Sequence, residues 1–367
     1  MKHILSLLLA LVVWGGCLAQ NTILGKYNVS YLNMATGMPN NFADDIFQDS
    51  YGFIWISTHG GGLVRYDGYK VASFGYTATP TALRSNCCRN VSEDHFRRLW
   101  IAFEEGPQVL DLETMRPVTP PCVNAKLAER LHEVLDGVSL RTYCDSKGCI
   151  WMATTFDIVR IAFDKQGKVE SIMSTPCPTA APELGMCDVY GRGSVVVCNN
   201  GKVSDITVQN GKLVQNDITA MFAPLANRYA ASIIKYNNKI WLATNDGLFC
   251  SDGRQFHTFD SRHTLQHNVA TSLAISPENR LLVGTLCGVD IIDDKAGTVE
   301  HWNSMSQVNP LSSNFVNSIL VKNGRTWIGT ETGGVVRLIP RQLQITYYAN
   351  NPDDPTSIAR NAVNAMY

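Results

Sequence analysis

Charge of one sign is the first thing this sequence lacks. Its 31 Lys and Arg offset 32 Asp and Glu, for a formal net charge of −1. A nucleic-acid or anionic-membrane binder needs a basic face, so both partners are set aside. Long apolar runs are missing too. Beyond residue 20 nothing approaches the roughly 20 apolar residues that span a bilayer. No CxxC pair with matching histidines occurs, so zinc-site spacings are absent and no metal or other cofactor is expected. THGGG and GTETGG hold the glycines of a phosphate loop, but no helix pattern follows and no Lys-Ser/Thr pair completes it. They read as turns. What is there is an ordinary globular composition, 367 residues with 45% apolar and 17% charged, long enough for one large core.

Residues 1–19 form their own object. Lys2 and His3 make a short positive start, Ile4 to Trp14 is an apolar run, and Cys17-Leu18-Ala19 precedes an expected cut before Gln20. This is the pattern of a signal peptide. A lipoprotein with Cys17 acylated is the rival, weakened by Trp14 where Leu is usual. Export permits disulfides among the ten remaining cysteines. Cys144 and Cys149 flank one hairpin turn, and Cys187 and Cys198 flank another. The plainer reading makes all ten small buried strand residues.

The centre of the pattern is Asp49 to Asp67, DSYGFIWISTHGGGLVRYD. It reads as a type I turn, a buried strand, a glycine turn and a second strand. The unit recurs around Trp100, Trp151, Trp241 and Trp327, and in two copies Val196 and Leu282 replace the Trp. The steps are 45, 51, 45, 45, 41 and 45 residues. Seven copies at that period, with about four short strands each, predict an all-β fold: a seven-bladed β-propeller of four-stranded antiparallel blades. The mid-strand Trp residues, flanked by Ile and Leu, belong to packing between blades rather than to sugar stacking.

The propeller is expected over 20–349. Inner strands are expected at Phe42 to Phe47, Cys87 to Val91 and Leu140 to Cys144, with outer strands such as Tyr69 to Phe74 and Arg254 to Phe259. Tyr27 to Leu32 resembles an outer strand without a blade of its own, so it is expected to complete the seventh blade. Residues 343–349 are the alternative. NNPDDPTSIARNAVNAMY, at 350–367, reads as the opening of a truncated eighth repeat leading toward a second propeller.

These residues carry a resemblance. DSYGFIWISTHGGGLVRYDG and NGRTWIGTETGGVVRL resemble the two-component-regulator propeller repeat, and YLNMATGMPNNFADDIFQDSYG resembles the start of the periplasmic sensor region of Bacteroides-type hybrid two-component system proteins. The resemblance covers roughly residues 25–367. It implies a periplasmic location, a downstream second propeller, β-sandwich and histidine kinase, a membrane-anchored homodimer, and an oligosaccharide ligand that controls polysaccharide-utilisation genes. No phospho-acceptor histidine context, ATP-binding motif or receiver aspartate stands in this chain, so it is expected to be a binder and not an enzyme.

The same resemblance gives no site motif, so candidates come from propeller geometry. Turns after the second strands and approaches to the inner strands share one face around the axis. The turns supply His59, Glu104, Glu105, Phe156, Asn200, Asn245, Asp246 and Glu331. The approaches supply Asn41, Arg84, Asn86, Arg141, Arg228, Tyr229, His267, Asn314 and Arg360. Amides, acids, guanidinium groups and a few aromatic faces suit a glycan. Arg84, Arg141 and Arg228 could also meet uronate or sulfate. The plainer reading is that loop tips are polar in any soluble propeller, and that an Asn before an inner strand caps its own turn. The rival function is a glycoside hydrolase or lyase using Glu104, Glu105, Asp246 or Glu331. A protein-interaction platform is the third, and it predicts an exposed apolar patch.

Overall fold

Each Trp-type segment forms the second strand of an antiparallel sheet, and seven such sheets follow one another along the chain. The computed structural model describes residues 23–77, 81–179, 181, 184–222 and 224–341. Blade 1 runs Ala43–Gln48, Ile54–Thr58, Gly62–Tyr66 and Val71–Phe74, in that spatial order. Blades 2, 3, 5, 6 and 7 repeat it from inner strands Cys88–Glu93, Arg141–Cys144, Ala230–Tyr236, Ala270–Ile275 and Val316–Lys322. The fold is the expected seven-bladed propeller.

Blade 4 departs locally from the four-stranded pattern of the other six. Its sheet has three, Val195–Asn199, Lys202–Gln209 and Lys212–Asp217. Where an inner strand belongs there is only the bridge between Cys187 and Val196. Gly185 lies where that strand would run. Its N–H donates to Ala230 O in blade 5 at 2.8 Å, and an added Cβ would sit 2.6 Å from Ala231 O. Backbone that is spent on the neighbouring blade is not free to extend its own sheet.

The chain divides into two compact units. Val29–Ile339 holds the ring, and the described residues of the other unit are 23–28 and 340–341. Within the ring, Val29–Leu32 is the outer strand of blade 7, beside Val335–Ile339. The first of the two expected closures is the one observed. Residues 343–349, the signal peptide and the truncated repeat at 350–367 lie outside the described residues. In the second unit, the Arg341 N–H donates to Lys26 O at 2.9 Å, and its Nε donates to Tyr27 O at 3.1 Å.

The Trp side chains are core, as their periodicity predicts. Trp55, Trp100, Trp151 and Trp241 are fully buried and Trp327 nearly so. A buried indole N–H needs an acceptor. In blades 1 to 3 the turn Asp six residues earlier provides it: Asp49, Asp94 and Asp145 accept from Trp55, Trp100 and Trp151 at 2.7, 2.8 and 2.7 Å. The other oxygen of each carboxylate accepts the backbone N–H of Phe53, Arg98 or Cys149. One side chain thus shapes the turn and anchors the core. In blade 5 the backbone carbonyl of Tyr236 accepts from Trp241 instead.

Two further features depart from the repeat. The 51-residue step holds a helix, Ala125–Asp136, between blades 2 and 3, which the sequence reading did not foresee. Asn124 caps it by accepting from Leu127 N–H at 2.9 Å. All ten described cysteines are free thiols, so neither hairpin pair is bridged. Burial pushes Cys198 and Cys250 up to about 12, which keeps them as neutral strand packing.

Asp49→Ala tests the turn carboxylate. Stranding the Trp55 indole and the Phe53 N–H is expected to cost roughly 2–4 kcal/mol. That should appear as a lower urea midpoint at unchanged slope; an unchanged midpoint would remove the anchoring role.

Candidate functional site

The inner strands are not regular. After Ala43, Cys88, Ala230, Ala270 and Val316 the register shifts by one residue, at equivalent places in five blades. Such a bulge leaves one residue unpaired and bends the strand. The unpaired residues are Asp44, Arg89, Ala231, Thr271 and Asn317. They and their successors Asp45, Asn90, Ser232, Ser272 and Ser318 line a cavity of about 200 Å³, joined by Leu140 and Arg141 from blade 3. Inner strands of six blades enclose it.

The successors form a circular relay. Each accepts a hydrogen bond from the backbone N–H one position further along the next blade's inner strand. Asn90 accepts from Thr142 at 2.9 Å, Ser232 from Leu273 at 3.2 Å, Ser272 from Ile319 at 2.9 Å and Ser318 from Ile46 at 3.3 Å. The Asp45 carboxylate takes the Val91 N–H in the same way. Each bond is worth about 0.5–1.5 kcal/mol net and far more if its buried donor is stranded.

The relay stops at Arg141. It occupies the same position in blade 3, and a guanidinium has donors only. Blade 4 offers no inner strand for it to meet. The blade 3–4 seam is held lower down instead, by the Asp188 N–H on Tyr143 Oη at 3.0 Å and by Ser146 Oγ on Asp188 at 2.6 Å. Among the described residues the Arg141 guanidinium makes no hydrogen bond or ion pair. Its charge acts across the cavity on Asp45. Burial raises the Asp45 carboxyl above its ordinary value; Arg141, the Ser318 hydroxyl and the Ile46 and Val91 N–H groups pull it back. The Asp45 oxygens are engaged, since Ser318 Oγ donates to one at 2.9 Å.

Around the mouth, the residues just before three inner strands are aromatic: Phe42, Tyr229 and Phe315. Phe315 is 45% exposed. The Phe42 and His59 rings lie 5.2 Å apart, and His59 Nδ1 is 3.9 Å from Asp44. Of the residues anticipated from sequence, Arg141 lines the cavity, while Tyr229 and His59 stand at its rim.

The other anticipated residues are engaged in holding the rim together. Asn41, Asn86 and Asn314 accept with their side-chain oxygens from the N–H groups of Met34, Tyr76 and Ser304 in the incoming crossovers, at 2.9, 2.8 and 2.8 Å. The backbone carbonyls of Asn41 and Asn86 take the N–H groups of Gly334 and Gly62 from the preceding blade. Gly62 is required there, since its φ is +79° and an added Cβ would collide with Phe74 O. Arg84 binds Leu135 O at 2.6 Å and Glu105 O at 3.2 Å, which fastens the end of the inserted helix. Glu104 pairs with Arg89. Arg228 pairs with Asp246 at 2.5 Å, and Asn245 with the Tyr229 backbone. His267 accepts from Val269 N–H at 3.0 Å, and the Glu331 N–H donates to Phe315 O at 2.9 Å. Asn200 occupies a left-handed turn position, and Glu105 and Phe156 are exposed. Arg360 lies outside the described residues.

Asp44, Asp45, Arg89, Asn90 and Asn317 were missed by the sequence reading. A signal for the deeper ring was present. The residue nine or ten positions before the Trp position is Asp45, Asn90, Arg141, Ser232, Ser272 or Ser318, polar in all six complete blades.

Residues 37–60 and 310–332 match the family model for the two component regulator propeller. Both stretches span an inner strand and its Trp strand, in the blades that meet at ring closure. Two of the seven blades thus carry a two component regulator propeller repeat. No curated protein sequence matches it. Among solved structures it is similar to the extracellular domain assigned to the hybrid two-component system BT3049 of B. thetaiotaomicron, with a TM-score of 0.65 and 19% identity over 85% of this chain and 42% of that one. The corresponding domain of BT4673 from the same organism gives 0.62 and 18%, over 85% and 39%. The chain thus spans about two fifths of those domains. A streptogramin B lyase gives 0.60 and 11%, over 85% of this chain and 97% of the lyase. At these identities the likeness is one of fold. Among the described residues no helix is long and apolar enough to cross a membrane.

Asp45 yields a pH test. Because its folded value stands above the unfolded one, it stabilises the fold fully below the unfolded value, and that contribution fades as pH rises through the folded one. Relative to wild type, Asp45→Asn should gain thermal stability as pH climbs from about 4 through that window. A stability difference independent of pH would contradict the assignment.

Proposed function

We propose that this chain is the ligand-sensing propeller of a periplasmic, membrane-anchored hybrid two-component regulator, and that its ligand is an oligosaccharide. The observation that carries the reading is the axial cavity. It offers donors and acceptors from six blades beneath a rim of Phe42, Tyr229 and Phe315, and sugars are held by planar polar groups with apolar faces to stack on. The two-component-regulator repeats supply the context. Binding, without chemistry, stabilises one arrangement of the full-length dimer with its second propeller, β-sandwich and kinase, and so biases expression of polysaccharide-utilisation genes. Such a bias extends only as far as the ligand's difference in affinity between the two arrangements.

The test is thermal unfolding of residues 20–367 against plant, host and microbial oligosaccharides. A ligand at about 100 times its dissociation constant adds roughly 2.7 kcal/mol. The expected result is a rise of several degrees with one sugar class, recovered intact. A cleaved sugar would make the chain an enzyme. A transition that no sugar moves would defeat the glycan reading for this propeller.

A further inference from the structure

We propose that the axial cavity is a subsite for an anionic sugar unit, with Arg141 receiving its carboxylate or sulfate. This inference rests on the sensor reading and narrows its ligand.

The argument starts from the relay. At five of the six equivalent positions the side chain accepts a neighbour's N–H, and the cavity wall closes on itself. Arg141 breaks that rule with a planar fork of five donors, which fits a carboxylate or sulfate bidentately. The cavity's other cation, Arg89, is paired with Glu104. The nearest acid, Asp45, is occupied by Ser318 and by backbone N–H groups. Among the described residues no acceptor reaches the Arg141 guanidinium. Arg141 is only partly buried, so its donors face the cavity's solvent, and a ligand oxyanion can replace that water with bidentate acceptors.

The wall from blade 1 refines the class. Asp44 and Asp45 line the same space. A bare oxyanion would face these carboxylates with no proton to offer, whereas a sugar acid presents hydroxyl donors around its charged group. Size adds a limit. About 200 Å³ is below the roughly 300–1,000 Å³ of sites for drug-sized ligands. One terminal unit enters, and the remaining units lie across the aromatic rim.

The experiment is isothermal titration of the chain and of its Arg141→Gln and Arg141→Lys variants. The probes are oligogalacturonides with free or methyl-esterified carboxylates, chondroitin disaccharides with and without sulfate, and neutral xylo-oligosaccharides. Wild type is expected to prefer one charged form over its uncharged counterpart by about tenfold or more. The galacturonide and chondroitin arms separate carboxylate from sulfate. Arg141→Gln should abolish the preference while leaving any affinity for the uncharged form, and Arg141→Lys should keep part of it. Equal binding of charged and uncharged forms overturns the subsite, as does a preference that survives in a folded Arg141→Gln protein. Binding of neutral sugars alone overturns the subsite and leaves the sensor reading standing. Binding of none overturns both.

Discussion

The ring depends on a hydrogen bond between blades rather than within them. A propeller blade satisfies its backbone inside its own sheet except along its two edges, the outer one toward solvent and the innermost one toward the axis, where no further strand pairs. Here a short side chain from one blade takes the N–H of the next, at the same step in five of the seven seams. That bond sets the angle at which blades meet, dries the inner edge, and keeps the axial space narrow. Apolar packing between the sheets, centred on the buried Trp residues, supplies bulk stability but has less directional character.

The proposed subsite lies where the relay is interrupted. Blade 4 has no inner strand, Gly185 there attaches to blade 5, and the relay position of blade 3 is filled by Arg141, which cannot act as an acceptor. A fully periodic ring would have a sealed, self-satisfied axis. Losing one strand and gaining one guanidinium leaves a polar space whose hydrogen-bonding capacity is unmet from inside the protein. The interruption and the pocket are one event.

The fold was legible because its determinants are local and repeated. Asp, Gly and Trp at fixed spacing encode turn, strand and core in each copy, and the YNVSYL segment could be placed on blade 7 by its lack of any other blade. The inserted helix at Ala125–Asp136 was hidden because one lengthened step says nothing about what fills it. The site was legible only in part. Loop position led to Asn41, Asn86 and Asn314, whose side-chain oxygens turn out to clamp the incoming crossovers. The cavity residues Asp44 and Arg89 depend on bulges, and a bulge is set by strand pairing rather than by the residue that occupies it.

The closing strand has a consequence for biogenesis. Val29–Leu32 is made before any other part of the ring, yet its partner Val335–Ile339 is made after all seven Trp-type strands. While the chain emerges, early blades can stack on one another, but the first strand has nothing to pair with and the growing assembly is an open arc with two raw edges. Such exposed edges invite pairing with other chains, and a contact between distant segments forms slowly. The last blade to be synthesised therefore acts as the keystone, and losing it would leave the first strand as an adhesive end.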